Sequence, residues 1–293
     1  MFSEIARLVL LILLLSSCAT DEDPAKSLTE PKFDRPTEYS TETPMPFDEF
    51  RLSESEFVEM QTKELAYFRN CMSDAGIAPE RYSLNGDYVV PADVPSLPLW
   101  GGKLGTLTMR HAREFGYHAG PGDPISGASG YYIKTWNIQM TVLAPGSEPP
   151  AEKDEDAVAN TYSNCGNRLP AAAREQPPDI TRLEADLVNR SFSDRRVANA
   201  VDEWSACMES KGYSFDELDK ASLQFSLVFK ISKKEIETAT ADVTCTEQTR
   251  WSDYFYTVLA DYQRQAINQD PDLFNDYERA LQRRLDTFVE MAV

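Results

Sequence analysis

Hydrophobic residues recur every three or four positions through much of the chain beyond residue 52, a period typical of amphipathic helices. Ser53 and Glu56 form a capping box before the first such stretch, and Gly76 follows its last apolar position. The pattern predicts a helix from Ser53 to Ala75, ended by a glycine at the C′ position. Its apolar face is expected to contain Phe57, Met60, Phe68, Cys71, Met72 and Ala75.

A second amphipathic stretch ends in the same way as the first. An aromatic residue, a cysteine, a methionine and a glycine occupy the same register in both. The two copies read Phe68-x-x-Cys71-Met72-x-x-x-Gly76 and Trp204-x-x-Cys207-Met208-x-x-x-Gly212. We therefore expect an internal repeat, with the second helix covering Val197 to Met208 and stopping at Gly212.

The repeat narrows the pairing of four cysteines, Cys71, Cys165, Cys207 and Cys245, for which three pairings exist. Each copy of the motif is followed by one later cysteine, which lies six residues after an alanine in both cases. The simplest pairing joins Cys71 to Cys165 and Cys207 to Cys245. In the chain-entropy relation, loops of this length would stabilise the fold by about 4–5 and about 4 kcal/mol.

The C-terminal region has strong helical patterns. Ser232 and Glu235 form another capping box, and neither proline nor glycine occurs from Glu235 to about Ile267, which predicts one helix of about 50 Å. Asp270 and Pro271 then open a last helix, which we expect to pack antiparallel to the long one. The expected buried stripe of the long helix is Ile236, Val243, Trp251, Phe255, Val258, Tyr262 and Ile267, with Tyr254 and Tyr256 off it.

Residues 82–150 are rich in glycine and proline and interrupt the first repeat as an irregular insertion. One short helix is expected from about Leu107 to Phe115, and residues 131–143 are compatible with a strand or a buried helix. Aromatic side chains between glycine turns are able to bind a sugar or a peptide, although packing beneath a loop is the competing interpretation. The candidate ligand-binding residues are Trp100, Tyr117, Tyr131 and Trp136.

The N-terminus has the pattern of a lipoprotein signal peptide. Arg7 precedes a short apolar run, Leu8 to Leu15, and Leu15-Ser-Ser-Cys18 resembles a bacterial lipobox. About 8 apolar residues are too few to cross a bilayer, which needs roughly 20. We expect Cys18 to carry the lipid that anchors the protein to the extracytoplasmic face of the cell membrane. Residues 19–52 are polar and proline-rich, which predicts a disordered acidic tether.

Charge and missing motifs exclude several classes of function. The chain has 48 acidic and 29 basic residues and a net charge of −19, which argues against binding nucleic acid. The sequence contains none of the phosphate-loop, dinucleotide, zinc-protease or Gly-x-Ser-x-Gly motifs. His111 and His118 are the only histidines, and Gly116 is expected to end the helix that would align them, so we predict no metal site. We also predict no cofactor and no catalytic residue.

The second repeat resembles a group of uncharacterised secreted lipoproteins of actinobacteria. The similarity is carried by the Trp204 motif, the glycine–tyrosine pair that ends it, and Ala241-Asp242-x-x-Cys245, and it covers roughly residue 194 to the C-terminus. The first repeat matches more loosely, through Cys71-Met72 and Cys165-Gly166. The resemblance implies a lipid-anchored, disulfide-linked helical protein outside the cell, and no catalytic residue is transferred from it.

Together these patterns predict a mainly α protein made of disulfide-linked helical hairpins with a Gly/Pro-rich insertion. The expected segments are a signal peptide (1–17), a tether (18–52), a first repeat with the insertion (53–169), and a second repeat with a C-terminal hairpin (170–293). The expected function is a non-enzymatic interaction or scaffold role in the cell envelope, with a membrane contact through Cys18 and an envelope protein or wall polymer as partner. The alternatives are binding of a small sugar or peptide, and hydrolysis of wall material by dispersed carboxylates.

Overall fold

The structure, a computed structural model, describes residues 28–40, 43–77, 107–118, 152–225 and 231–291. Of these residues 72% are helical, and none of them forms a strand. The mainly α class predicted from the sequence is confirmed. Within this part of the chain the α-helices are α1 (Glu54–Asp74), α2 (Met109–Phe115), α3 (Glu152–Arg168), α4 (Thr181–Ser193), α5 (Arg195–Ser210), α6 (Lys220–Leu223), α7 (Lys233–Thr249), α8 (Trp251–Gln269) and α9 (Pro271–Glu290), with 3-10 turns at Pro46–Phe50 and Ala172–Arg174.

The two copies of the repeat end in the same backbone motif. Gly76 after α1 and Gly212 after α5 have φ of +82° and +89°, a region that favours glycine. The residue after each glycine donates its N–H to the carbonyl of Met72 or Met208, at 3.0 Å in both copies. These are Schellman caps, so the methionine–glycine spacing in the sequence corresponds to a defined way of ending a helix.

Both disulfides have the pairing that the repeat predicted. Cys71–Cys165 links α1 to α3, and Cys207–Cys245 links α5 to α7. Each copy of the repeat is therefore a helix pair with a covalent link near the end of its first helix.

The two halves of the sequence share one hydrophobic core. Helix α1 of the first repeat packs along α9, and α2 packs against α7 of the second repeat. The proline-rich stretch after α3 also belongs to this core, because Leu169 and Ala173 are buried. The predicted boundary near residue 170 thus separates two copies in sequence, while their apolar faces meet in one interior.

The single long helix predicted from Glu235 to Ile267 is wrong, because the chain breaks between α7 and α8. Arg250 adopts a left-handed conformation with φ 56°. Its side chain contacts Asp253 at 2.7 Å, and the indole of Trp251 donates to Thr246 Oγ1 at 3.1 Å. Placing a non-glycine residue in this region costs about 1–2 kcal/mol. Burial of Trp251, which is 2% exposed, offsets that cost.

The buried stripe along α7 and α8 differs from the predicted one: Ile267 is only partly buried, and two further differences involve remote contacts. Glu235 is fully buried, and the neighbouring Ile236 is only partly buried. Tyr256, expected to lie off the stripe, is 5% exposed and stacks on Tyr39 with ring centroids 3.7 Å apart. Both differences arise from contacts with distant segments, which helical periodicity along one stretch does not report.

Residues 28–40 and 43–52, here called the strap, correct the prediction of a disordered tether over this range. They lie against α8 and α9. Their apolar side chains are spaced along the segment, and four of them enter the shared core. These are Leu28, Met45, Phe47 and Leu52. The composition is polar enough to suggest disorder, but these few large side chains bury enough apolar area to order the chain.

Candidate functional site

The least expected feature of the interior is a hydrogen-bonded group of polar side chains between α2, α5 and α7, here called the polar cluster, in which every member except the partly exposed Asp242 is buried. It combines ionisable, aromatic and hydroxyl groups at the junction between the second repeat and the end of the segment 107–118. Its members are Tyr117, His118, Trp204, Glu235, Asp242 and Thr246.

Local sequence places the two sides of the cluster. Thr108 caps α2 by accepting the N–H of His111, and Gly116 ends the helix with φ 62°. The turn at Gly116 directs Tyr117 and His118 towards α7. On α7, Glu235 and Asp242 are seven residues apart, so two helical turns bring both carboxylates to one face.

Glu235 is the centre of the first half of the cluster. Its Oε1 atom lies 2.5 Å from His118 Nδ1 and accepts the backbone N–H of Tyr117 at 3.1 Å. Its Oε2 atom accepts the backbone N–H of Ser232 at 3.4 Å, which completes the capping box predicted from the sequence. Glu235 and His118 are 0% and 1% exposed. A carboxylate this deeply buried is tolerated because several donors and an imidazole surround it.

His111 supports the same pair from α2. Its Nε2 atom lies 2.6 Å from the carbonyl oxygen of His118, and since a carbonyl only accepts, Nε2 carries the proton and donates. The two histidines considered as metal ligands are therefore joined through a backbone carbonyl. Among the described residues, no group of three His, Cys, Asp or Glu side chains is placed to hold a metal ion.

Asp242 is the centre of the second half. Its Oδ1 atom accepts the indole N–H of Trp204 at 2.8 Å and the hydroxyl of Thr246 at 3.3 Å, and its Oδ2 atom accepts the hydroxyl of Tyr117 at 3.0 Å. Burial raises the pKa of Asp242 to about 6, although all three hydrogen bonds favour the ionised form. Burial also raises the pKa of Tyr117 well above its usual range, and the nearby Asp242 carboxylate adds to the effect.

The first repeat shows what the second has changed. In the first repeat, Phe68 and Tyr162 each lie three residues before a cysteine, and their rings stack with centroids 4.4 Å apart. The corresponding residues of the second repeat are Trp204 and Asp242, which form a hydrogen bond instead. An apolar contact in one copy is thus replaced by a carboxylate with a near-neutral pKa in the other. Such groups are enriched at functional sites, which makes Asp242 the first candidate.

Glycine is required beside the cluster. A Cβ atom on Gly116 would lie 2.7 Å from Glu235 Oε1, and the residue already has a positive φ. The backbone of α2 therefore approaches Glu235 more closely than any other residue type would allow. The arrangement attaches the segment 107–118, the described part of the Gly/Pro-rich insertion, to the disulfide-linked pair α5 and α7.

The predicted ligand-binding residues are divided by the structure. Tyr117 is 6% exposed, its ring stacks on Phe225 with centroids 5.9 Å apart, and its hydroxyl bonds Asp242, so these contacts give it a packing role. The other three, Trp100, Tyr131 and Trp136, lie outside the described residues, as does the stretch 131–143. Cys18 also lies outside them.

Sequence reasoning missed the role of the carboxylates. Glu235 was identified only as a helix cap, and Asp242 only as part of the Ala-Asp-x-x-Cys motif. The repeat held a usable signal, because aligning the cysteines places Asp242 where the first copy has Tyr162. A charged residue at a position that faces a tryptophan across a disulfide-linked pair indicates a buried polar contact.

Comparison with known proteins identifies no family for this chain. No family model, curated protein or solved structure matches the chain. Within the described ranges, no helix has the length and apolar character needed to cross a membrane.

Proposed function

We propose that this protein is a lipid-anchored component of the cell envelope that acts by binding another envelope protein or a wall polymer, without catalysis of its own. The observation that carries the proposal is the use of the cysteines. Four of the five form two disulfides, which leaves Cys18 at the end of the lipobox-like motif.

The two uses of cysteine support the same location. Disulfides form and persist in oxidising compartments, which favours export of the chain. The apolar run before Cys18 is too short to hold a protein in a bilayer, so retention at the membrane requires acyl chains on the cysteine. Each buried methylene of an acyl chain contributes about 0.8 kcal/mol, and two chains give stable anchoring.

The helical body suits a binding role. Its halves share one core, and each half has one disulfide between two of its own helices, so the outer helix faces are held in a fixed arrangement. In the described part of the chain, the large hydrophobic side chains left exposed are Leu223 and Val289. This small number of exposed large apolar side chains is compatible with a reversible contact through a mainly polar interface.

Lipid attachment is tested by expressing the full chain and two single variants, Cys18→Ser and Ser17→Ala. We expect the wild-type protein and Ser17→Ala, which keeps a small residue before the cysteine, to enter the detergent-extractable membrane fraction with an added diacylglycerol mass. Cys18→Ser should lose that mass and leave the fraction. Retention of Cys18→Ser in membranes after a high-salt wash would contradict the anchor.

The binding role is tested by cross-linking in intact cells, with an unrelated lipoprotein as control. A component that recurs with this protein and is missing from the control supports the proposal. Purified protein is also incubated with wall fragments, and formation of a soluble product would show catalysis and contradict it.

Binding of a small sugar or peptide is the second candidate. One observation favours it: the polar cluster fixes the segment 107–118, within the aromatic Gly/Pro-rich region, to a rigid helix pair. Native mass spectrometry of the non-reduced protein distinguishes the two, because a retained small molecule would support ligand binding. Replacing Trp100 or Trp136 by alanine should then abolish retention while the protein stays folded.

A further inference from the structure

One face of α8 carries polar side chains at every fourth residue, and three of them contact the backbone of the strap. Asp253 Oδ1 accepts the N–H of Tyr39 at 2.9 Å, and Thr257 Oγ1 accepts the N–H of Thr37 at 2.8 Å. Two turns further along, the side chain of Gln265 accepts the N–H of Thr29 at 2.8 Å and donates to the carbonyl of Thr29 at 3.0 Å. The full row of polar residues on this face is Asp253, Thr257, Asp261 and Gln265.

Side-chain contacts add to this backbone pairing. Tyr39 stacks on Tyr256, and the guanidinium of Arg196 lies 3.9 Å above the ring of Phe33. Arg196 also donates to the carbonyl of Pro31 at 2.9 Å. The strap is therefore held along its length by polar, aromatic and cationic contacts.

The order of these contacts gives the strap a direction. Tyr39 lies beside Asp253 near the start of α8, and Thr29 lies beside Gln265 near its end. Residues 29–39 of the strap therefore run antiparallel to α8. The chain that comes from Cys18 therefore joins the folded body at the Gln265 end of this helix.

Chain length limits how far that end lies from the lipid. Ten residue steps separate Cys18 from Leu28, which span at most about 35 Å in any conformation. If the chain were free as far as residue 52, the 34 steps would span up to about 115 Å. Docking of the strap shortens the maximum reach roughly three-fold.

We propose that the strap orients the protein on the membrane, with the Gln265 end of α8 facing the lipid headgroups and the Trp251 end pointing away. This inference rests on the proposed lipid attachment at Cys18. The acidic charge of the body does not prevent it, because the Debye length is about 8 Å at physiological salt and the short connection leaves room for that gap.

The orientation is measured by energy transfer to a headgroup-labelled lipid. Cys18 is the one cysteine outside the two disulfides, so the oxidised protein starting there is coupled through its thiol to a maleimide lipid in vesicles. A donor dye is placed through a bio-orthogonal amino acid at one of two exposed residues: Asn268, in the last turn of α8, or Glu247, in the last turn of α7 just before α8 begins. The helix is about 27 Å long, so we expect clearly stronger transfer from position 268.

A matched control lengthens the connection without touching the body. Thirty Gly/Ser residues inserted between residues 23 and 24 should bring the two positions to nearly equal transfer. A second variant, Thr257→Val with Gln265→Leu, removes backbone contacts of the strap and should reduce the difference between the positions. Equal transfer from the two positions in the unmodified chain would overturn the proposal, as would a difference that survives the insertion unchanged.

The outcome is separable from that of the proposed function. Because the lipid is attached chemically in vesicles, the measured orientation does not depend on modification in cells. Failure of lipid attachment to the full chain in cells refutes the proposed anchor, whereas equal transfer in vesicles refutes the orientation alone.

Discussion

Nδ1 of His118 lies 2.5 Å from Oε1 of Glu235, and both side chains are excluded from solvent. The pair joins the end of the α2 segment to the first turn of α7, across a sequence separation of 117 residues. Because a buried polar group is stable only while its hydrogen-bond partners remain in place, this contact ties the position of the segment 107–118 to the stability of the second repeat.

Replacing Glu235 by glutamine is expected to lower the free energy of unfolding by about 2–4 kcal/mol, since the imidazole loses its buried carboxylate. Amide hydrogen exchange at Tyr117 and His118 should accelerate more than exchange in α9. Urea unfolding and exchange mass spectrometry measure the two effects. Glu237→Gln, on the exposed side of the same helix, is the control, and equal effects from both variants would contradict a structural role for the pair.

Gly116→Ala is expected to destabilise the protein more than Gly212→Ala. Both glycines have positive φ, so each substitution adds backbone strain of about 1 kcal/mol. Only at Gly116 would the new methyl group lie 2.7 Å from Glu235 Oε1, whereas nothing lies within 4 Å at Gly212. Thermal unfolding of the two variants measures the difference, and similar melting temperatures would show that Glu235 moves aside without loss.

The features that could be predicted from sequence depend on neighbouring residues or on the repeat. The capping boxes at Ser53 and Ser232 each join two residues that are three positions apart, and Gly76 and Gly212 each end one helix. The disulfide pairing followed from the alignment of two copies. In each case the physical cause lies within a few residues, or is repeated in the chain.

The features that were missed depend on contacts between distant segments. The strap looks like a polar tether until Asp253, Thr257 and Gln265 of α8 are placed beside it. Asp242 looks like one of many acidic residues until Trp204 and Tyr117 donate to it. Periodicity along one helix does not show which remote group faces it.

The helix break at Arg250 provides a test of one such distant effect. Arg250→Gly should relieve the left-handed strain, whereas Arg250→Ala keeps the strain, and both lose the partly exposed contact with Asp253. The glycine variant is therefore expected to be more stable than the alanine variant by about 1 kcal/mol. Chemical denaturation of the pair measures this. Greater stability of the alanine variant would indicate that it has converted α7 and α8 into the continuous helix that the sequence pattern favours.

Asp242 should make stability depend on pH. The pKa of its carboxyl group is raised by burial to about 6, whereas an unfolded aspartate titrates near 3.9. The folded state therefore binds the proton more tightly. The stabilisation from protonated Asp242 is fully present below pH 3.9 and is lost as pH rises through 6, so ionisation of this group opposes folding at neutral pH.

Asp242→Asn is expected to remove this contribution while keeping an oxygen that accepts from Trp204. The free energy of unfolding is measured with urea from pH 4 to pH 7. In the wild-type protein, the contribution of Asp242 to this free energy should fall by at most about 3 kcal/mol over that range, and the variant should show no such fall. Asp202→Asn, at an exposed position of α5, is the matched control and should follow the wild-type profile. If Asp242→Asn also follows that profile, Asp242 keeps the same protonation state on unfolding. The carboxylate that the second repeat has at the position of Tyr162 in the first would then affect packing only.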